Sequence, residues 1–203
     1  MVRNVAMPHV NALLLGVLFC GGAVADGTPA VPEVVSQVCA ACHGIDGNST
    51  IPTIPKLAGS NPEYLLRELR DFSAGKRKSE VMGAIAPTVN AADMKAVAAY
   101  FGKQKSTSEP VQDAELAKVG KKIFLEGDEP RGVPACAGCH EEDGSGSKRF
   151  PHLAGQHREY LIEQMQKFRN DVHTYPGATY MREVAKRMSE EEIKAVAEFL
   201  AAL

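Results

Sequence analysis

The sequence predicts an all-α protein made of two tandem copies of one helical domain, and three observations carry that prediction. First, the chain repeats itself. Cys39 maps onto Cys136, Pro55-Lys56-Leu57-Ala58-Gly59 onto Pro151-His152-Leu153-Ala154-Gly155, and Glu63-Tyr64-Leu65 with Phe72 onto Glu159-Tyr160-Leu161 with Phe168. The run from Lys95 to Tyr100 then matches the run from Lys194 to Phe199, and the offset drifts by only three residues over the whole comparison. Second, apolar residues recur at helical spacing in both copies, at Leu65, Leu66, Leu69 and Phe72 and again at Tyr160, Leu161, Met165 and Phe168. Third, each copy contains a Cys-x-x-Cys-His motif, Cys39-Ala40-Ala41-Cys42-His43 and Cys136-Ala137-Gly138-Cys139-His140.

From the N-terminus, residues 1–25 have the pattern of a cleaved export signal. Arg3 supplies positive charge, Ala12 to Phe19 a short apolar run, and Ala23-Val24-Ala25 a cleavage site that makes Asp26 the first mature residue. Lipid attachment at Cys20 is disfavoured by Phe19, where a small residue is needed, and the apolar run is short for an uncleaved anchor. The first domain spans 26–105, with a helix entered through Asn61-Pro62 as cap and first-turn proline. Its last helix starts near Asn90 and carries Met94, Val97, Ala98 and Phe101 on one face. The polar run from Lys103 to Pro110 suits an exposed linker, placed at 106–112. The second domain, 113–203, closes on a helix that starts at Ser189 with Glu192 as its capping-box partner and carries Ile193, Val196, Ala197 and Leu200.

A copy of roughly 80–95 residues has a marginal protein-only core, which a large apolar prosthetic group would remedy. The whole chain has a formal net charge of −2, so nothing global points to nucleic acid or to an anionic membrane surface. Beyond residue 26 no apolar stretch approaches the ~20 residues of a membrane helix, so membrane association is expected to be peripheral at most.

Once Cys20 leaves with the signal, the four remaining cysteines all lie in the two motifs. Disulfides, a zinc site and two redox dithiols compete for them. The histidine directly after each pair decides against all three, because Cys-x-x-Cys-His is the attachment pattern of c-type haem. Two thiols at this spacing reach two haem vinyl groups, and the next residue turns its imidazole to the iron. Two covalently bound haem c groups are therefore expected, on Cys39 and Cys42 and on Cys136 and Cys139, with His43 and His140 as iron ligands.

An iron bound by one histidine keeps an open face suited to catalysis, whereas a second strong ligand favours electron transfer. Met82 and Met181 each lie 18 residues before equivalent aromatic residues, Tyr100 and Phe199, in segments expected to be loop. Met94 aligns with Ile193 and Met188 with Val89, so neither recurs as a pair. His152, His157 and His173 have no histidine counterparts in the first copy and are expected at the surface.

Together these features resemble the dihaem cytochrome c4 family, over essentially the whole mature chain. The resemblance implies two tandem cytochrome c folds, each wrapped around its haem, with His43 and Met82 on the first iron and His140 and Met181 on the second. It also implies that the carbonyls of Pro55 and Pro151 accept the hydrogen bond of the histidine Nδ1. The implied protein is a periplasmic electron carrier and no enzyme, relaying single electrons between a quinol-oxidising respiratory complex and a terminal oxidase or other periplasmic reductase. The alternative is the electron-accepting subunit of a flavoprotein dehydrogenase, for example a sulfide-oxidising one; a dihaem peroxidase would need an open iron site and a longer chain. In this family the first and last helices cross at a glycine facing an aromatic residue. Gly120 and Phe124 supply that crossing opposite Phe199 in the second copy, while Pro32 stands near the corresponding place in the first. A short first helix and an altered crossing are therefore expected there. Residues 26–109 carry nine basic and nine acidic residues, and 110–203 carry thirteen and sixteen. Lys76-Arg77-Lys78 is the expected docking patch of the first domain, and Glu141-Glu142-Asp143 an acidic surface beside the second haem.

Overall fold

The computed structural model describes Met1 and residues 30–203, and the expected export signal with its cleavage site lies outside the described residues beyond Met1. In the first half a π-helical turn, Val35–Cys39, runs into α1 (Ala40–His43), followed by α2 (Pro62–Ser73), α3 (Glu80–Ile85) and α4 (Ala91–Phe101). The second half holds α5 (Ala114–Glu126), α6 (Ala137–His140), α7 (Arg158–Arg169), α8 (Thr179–Arg187) and α9 (Glu190–Ala202). Among the described residues, β pairing is confined to one antiparallel bridge between Asp128 and Val133. None of their helices is long and apolar enough to cross a membrane.

The helix starts follow from local chemistry. The Asn61 side chain accepts the amides of Glu63 and Tyr64 ahead of α2, with Pro62 in the first turn where no amide is needed. Asn90 does the same for Ala92 and Asp93 ahead of α4. Ser189 and Glu192 form both bonds of the capping box that opens α9.

The second half is organised by the crossing of α5 and α9. A Cβ added at Gly120 would lie 1.8 Å from the Ala195 carbonyl oxygen and 3.0 Å from the Phe199 Cβ, so the helices meet backbone to backbone. The rings of Phe124 and Phe199 then pack with centroids 5.6 Å apart. Gly120→Ala gains up to ~1 kcal/mol of helix propensity, but its methyl cannot be accommodated until the helices part. A net loss of roughly 1–3 kcal/mol is expected from overpacking, read as a lower denaturation midpoint of the holoprotein.

The first half solves the same problem differently. Pro32 starts the opening helix, the Val35 amide donating to its carbonyl at 2.9 Å. Val35 is fully buried and packs with Leu65, Val97, Ala98 and Phe101. The short first helix is as anticipated, and its Val35 packs against residues of α2 and α4 without a glycine crossing.

After each Cys-x-x-Cys-His helix a tight turn brings the Pro-x-Leu-Ala-Gly segment beneath the last helix. Gly47, at φ +79°, turns its carbonyl to accept the amides of Leu57 and Ala58 at 2.7 and 3.2 Å. Gly144, at φ +68°, accepts those of Leu153 and Ala154 at the same two distances. A side chain at Gly47 would sit 2.8 Å from the Ala58 amide nitrogen, so this turn needs glycine twice over.

The segment between α4 and α5 is largely exposed, as expected, yet it is pinned. Asn48 Oδ1 accepts the Thr107 amide at 2.9 Å, the Glu109 amide donates to the Ala201 carbonyl at 2.7 Å, and Glu109 pairs with His157 and Arg158.

Candidate functional site

The two motifs sit at the ends of α1 and α6, where their histidines are buried. His43 Nδ1 lies 2.9 Å from the Pro55 carbonyl and His140 Nδ1 lies 3.3 Å from the Pro151 carbonyl. A carbonyl oxygen can only accept, so Nδ1 carries the proton and Nε2 keeps its lone pair. Burial pushes both imidazoles below their ordinary value, against a smaller opposing effect of those bonds, and favours the neutral ring a metal requires.

One cavity of about 1250 Å³ is shared by the two halves. It is lined by Cys39, Cys42, His43 and Met82 from the first half and by Cys136, Cys139, His140 and Met181 from the second. Its walls are mainly apolar, with Leu65, Leu69, Val97 and Phe101 on one side and Leu161, Val196 and Leu200 on the other. No disulfide joins the four motif cysteines. Burial raises the Cys39 thiol and pushes that of Cys136 up to about 11, the opposite of a reactive dithiol.

The methionines depart from expectation in their setting. Met82 lies in α3 and Met181 in α8, so both ride on short helices instead of loops. Ser79 caps α3 by accepting the Met82 amide at 3.2 Å, which holds that residue at the helix start. Of the rivals, Met94 is buried on α4 away from the cavity, and Met188 touches the cavity but packs into the core with Ile123, Val184 and Ile193.

Among the described residues, the histidines outside the motifs are not at the surface. His157 and His173 are buried and His152 is half-buried. His157 Nε2 lies 2.9 Å from the Ser49 carbonyl of the first half, so it belongs to the contact between the copies. Arg77 also differs from expectation. Its neighbours Lys76 and Lys78 are exposed, but Arg77 turns inward to Glu68 at 2.6 Å and reaches Tyr160 and Gln164 of the second half. The basic docking patch therefore reduces to the two lysines, while Glu141, Glu142 and Asp143 are exposed as expected.

Sequence reasoning missed Glu68, Gln164 and the pair Tyr64 and Tyr160 as cavity residues. The signal was present, because Glu68 and Gln164 are equivalent in the repeat and each interrupts an apolar helix face.

These residues fit a haem in each half. Haem brings a broad apolar ring, which the walls match, and carboxylates, which need donors. Among the described residues three buried side-chain atoms on residues that line the cavity have no hydrogen-bond partner, Arg77 Nε, His152 Nε2 and His173 Nδ1. The two imidazoles donate their protons to the Ser145 carbonyl and to Gln164, so the donor among the three is Arg77. Arg77 Nε can only donate, and an unpaired buried donor calls for an acceptor.

Known proteins agree with this geometry. The cytochrome c family profile matches residues 31–105 and again 117–203. A cytochrome c4 of Pseudomonas aeruginosa is 38% identical over 95% of this chain and 96% of its own length. The thiosulfate dehydrogenase electron acceptor of Thiomonas intermedia is 35% identical over 93% of this chain and 87% of its own. The crystal structure of reduced recombinant cytochrome c4 from Pseudomonas stutzeri aligns with a TM-score of 0.77 at 40% identity, covering 82% of this chain and 94% of that one. The chain belongs to the cytochrome c family and, within it, to the dihaem cytochromes c4, electron carriers with two covalently bound haem c groups.

Proposed function

We propose that the two irons are ligated by His43 with Met82 and by His140 with Met181, and that the protein works in the periplasm. There it relays single electrons from a quinol-oxidising respiratory complex to a terminal oxidase or another periplasmic reductase. The observation that carries this reading is that both Cys-x-x-Cys-His helices and both methionine helices line one cavity. Bound haem supplies a metal centre that takes up and returns one electron.

The chain's own residues do the remaining work. Cys39 and Cys42, and Cys136 and Cys139, fix each prosthetic group by thioether bonds. The carbonyls of Pro55 and Pro151 hold each imidazole in the tautomer and orientation that direct Nε2 inward. Met82 and Met181 would hold the iron as its second protein ligand and keep water and small ligands away from it, and a thioether ligand raises the reduction potential. The apolar walls exclude solvent and keep rearrangement small.

A second reading, electron acceptor for a dehydrogenase of sulfur compounds, is favoured by the name of the Thiomonas relative. The two separate in one experiment on the mature holoprotein, whose N-terminus is expected at Asp26. Membranes with an active quinol-oxidising complex should reduce it rapidly, and membranes with a terminal oxidase should reoxidise it. Rapid reduction by a purified thiosulfate dehydrogenase, with none by the quinol-oxidising membranes, would establish the second reading instead.

A further inference from the structure

A polar cluster bridges the two halves beside the cavity, and the ligand set above does not use it. Arg77 Nη1 donates to Glu68 Oε2 at 2.6 Å, while its Nη2 donates across the boundary to Gln164 Oε1 at 3.2 Å and the Tyr160 hydroxyl at 3.4 Å. His173 Nε2 lies 2.9 Å from that same Gln164 Oε1. A guanidinium can only donate, so the Gln164 atom facing Arg77 is its carbonyl oxygen. His173 must then donate its Nε2 proton to that oxygen. Burial pushes His173 down to about 4, so it is a neutral donor at neutral pH. One side-chain oxygen thus holds a donor from each half of the molecule.

Both donors lie on the segments that carry the methionines. Arg77 stands five residues before Met82, with the Ser79 cap between them, and His173 stands eight before Met181. The repeat places an acceptor on either side of Arg77, Glu68 in the first copy and Gln164 in the second, and of these two Gln164 also holds a donor from the other half.

We propose that Gln164 is a positioning residue that couples the two methionine-bearing segments, so that a change in the setting of one methionine is transmitted to the other across the domain boundary. The physical basis is competition and polarisation at a shared acceptor: when one donor moves or disappears, the oxygen shifts toward the other and strengthens that bond. This makes the two coordination sites respond together, through a two-bond link and without a change in net charge. The proposal rests on reading Met82 and Met181 as iron ligands.

The test uses the ferric holoprotein and paramagnetic proton NMR, in which each iron-bound methionine gives its own shifted methyl signal. Met82→Ala and Met181→Ala assign the two signals; if neither mutation removes a signal, the ligand reading fails, and the coupling proposal with it. His173→Phe, which removes a neutral donor from the second half, should shift the Met181 signal and also the Met82 signal. In a Gln164→Met background, which keeps side-chain length but loses the acceptor, His173→Phe should no longer move the Met82 signal. Gln164→Glu, which keeps acceptor oxygens toward both donors, should restore the transmission. Where Gln164→Met does not accumulate with two haems, Gln164→Leu takes its place. A Met82 signal that ignores His173→Phe overturns the proposal, as does one that still moves when the acceptor is gone.

Discussion

Met82→Ala is expected to strip the methionine from the first iron alone, and Met181→Ala from the second alone, each removing one of the two contributions to the far-red ferric band of methionine-ligated haem. The midpoint potential of the affected haem should fall by on the order of 0.1 V, within the roughly 0.8 V that axial ligands command. The direction follows from the thioether, a soft donor that favours ferrous iron, whereas the water or stronger base that replaces it favours ferric. Geometry makes the loss of each ligand separate, whatever smaller shift the other site shows. Met82 is set by its own capped helix, α3, and Met181 by α8, each lining its own half of the cavity. The contrasting variant is Met188→Ala. Met188 is 4% exposed and packs with Ile123, Val184 and Ile193, so its truncation should cost about 2–5 kcal/mol of stability and leave both bands in place. A band that survives Met82→Ala or Met181→Ala unchanged reassigns that ligand, and band loss in Met188→Ala would point to where it went.

Local features of this fold are written locally. The caps at Asn61, Asn90 and Ser189 formed as their sequences imply, since each needs only a side chain and amides two or three residues away. The attachment motifs are equally local, whereas the Gly120 crossing was anticipated only through the family resemblance, since it joins two helices far apart in the chain. The methionine helices were not visible. Helix α3 has six residues and a glycine at position 83, too few to show a periodic face, so only the Ser79 cap marked it. The buried histidines were missed for a different reason. His157 is buried against Ser49, a contact that exists only once one copy packs against the other, while His173 is enclosed within its own copy by Gln164, Phe168 and Tyr175. Alignment of the copies carried a clue that was read the wrong way. Positions where the repeat breaks, Lys56 against His152, Asn61 against His157 and Glu68 against Gln164, include the residues that meet across the boundary. Lys56 illustrates this, donating its ammonium to the carbonyls of Thr107 and Gly155 while its backbone exchanges two hydrogen bonds with Gln156.

Arg158→Met is expected to cost about 3–5 kcal/mol, the loss typical of removing one partner from a buried ion pair. Arg158 is 8% exposed and Glu198 3%. Its Nε donates to Glu198 Oε2 and its Nη1 to Glu109 Oε2, both at 2.6 Å, and its Nη2 reaches the Pro110 carbonyl at 3.0 Å. One guanidinium therefore ties the segment between the halves to α7 and α9. Methionine keeps much of the volume, so the loss comes from two carboxylates left without their cation. The same network gives an acid limb to stability. Burial alone would raise the Glu198 carboxyl, but the amides of Asp113 and Gln112 and the Arg158 guanidinium outweigh it and hold it below the ordinary value. A carboxyl depressed in the folded state contributes stability that is fully present above its unfolded value of roughly 4.3. That contribution is lost as pH falls through the folded value, because the unfolded chain then binds more protons. Thermal melts of the holoprotein from neutral pH down through this range should show a falling Tm. In Arg158→Met the midpoint should start lower and fall less steeply, since Glu198 has lost part of what depresses it. A variant that melts in parallel with the parent at every pH, from the same starting point, would mean that the ion pair fixes neither the stability nor its acid dependence.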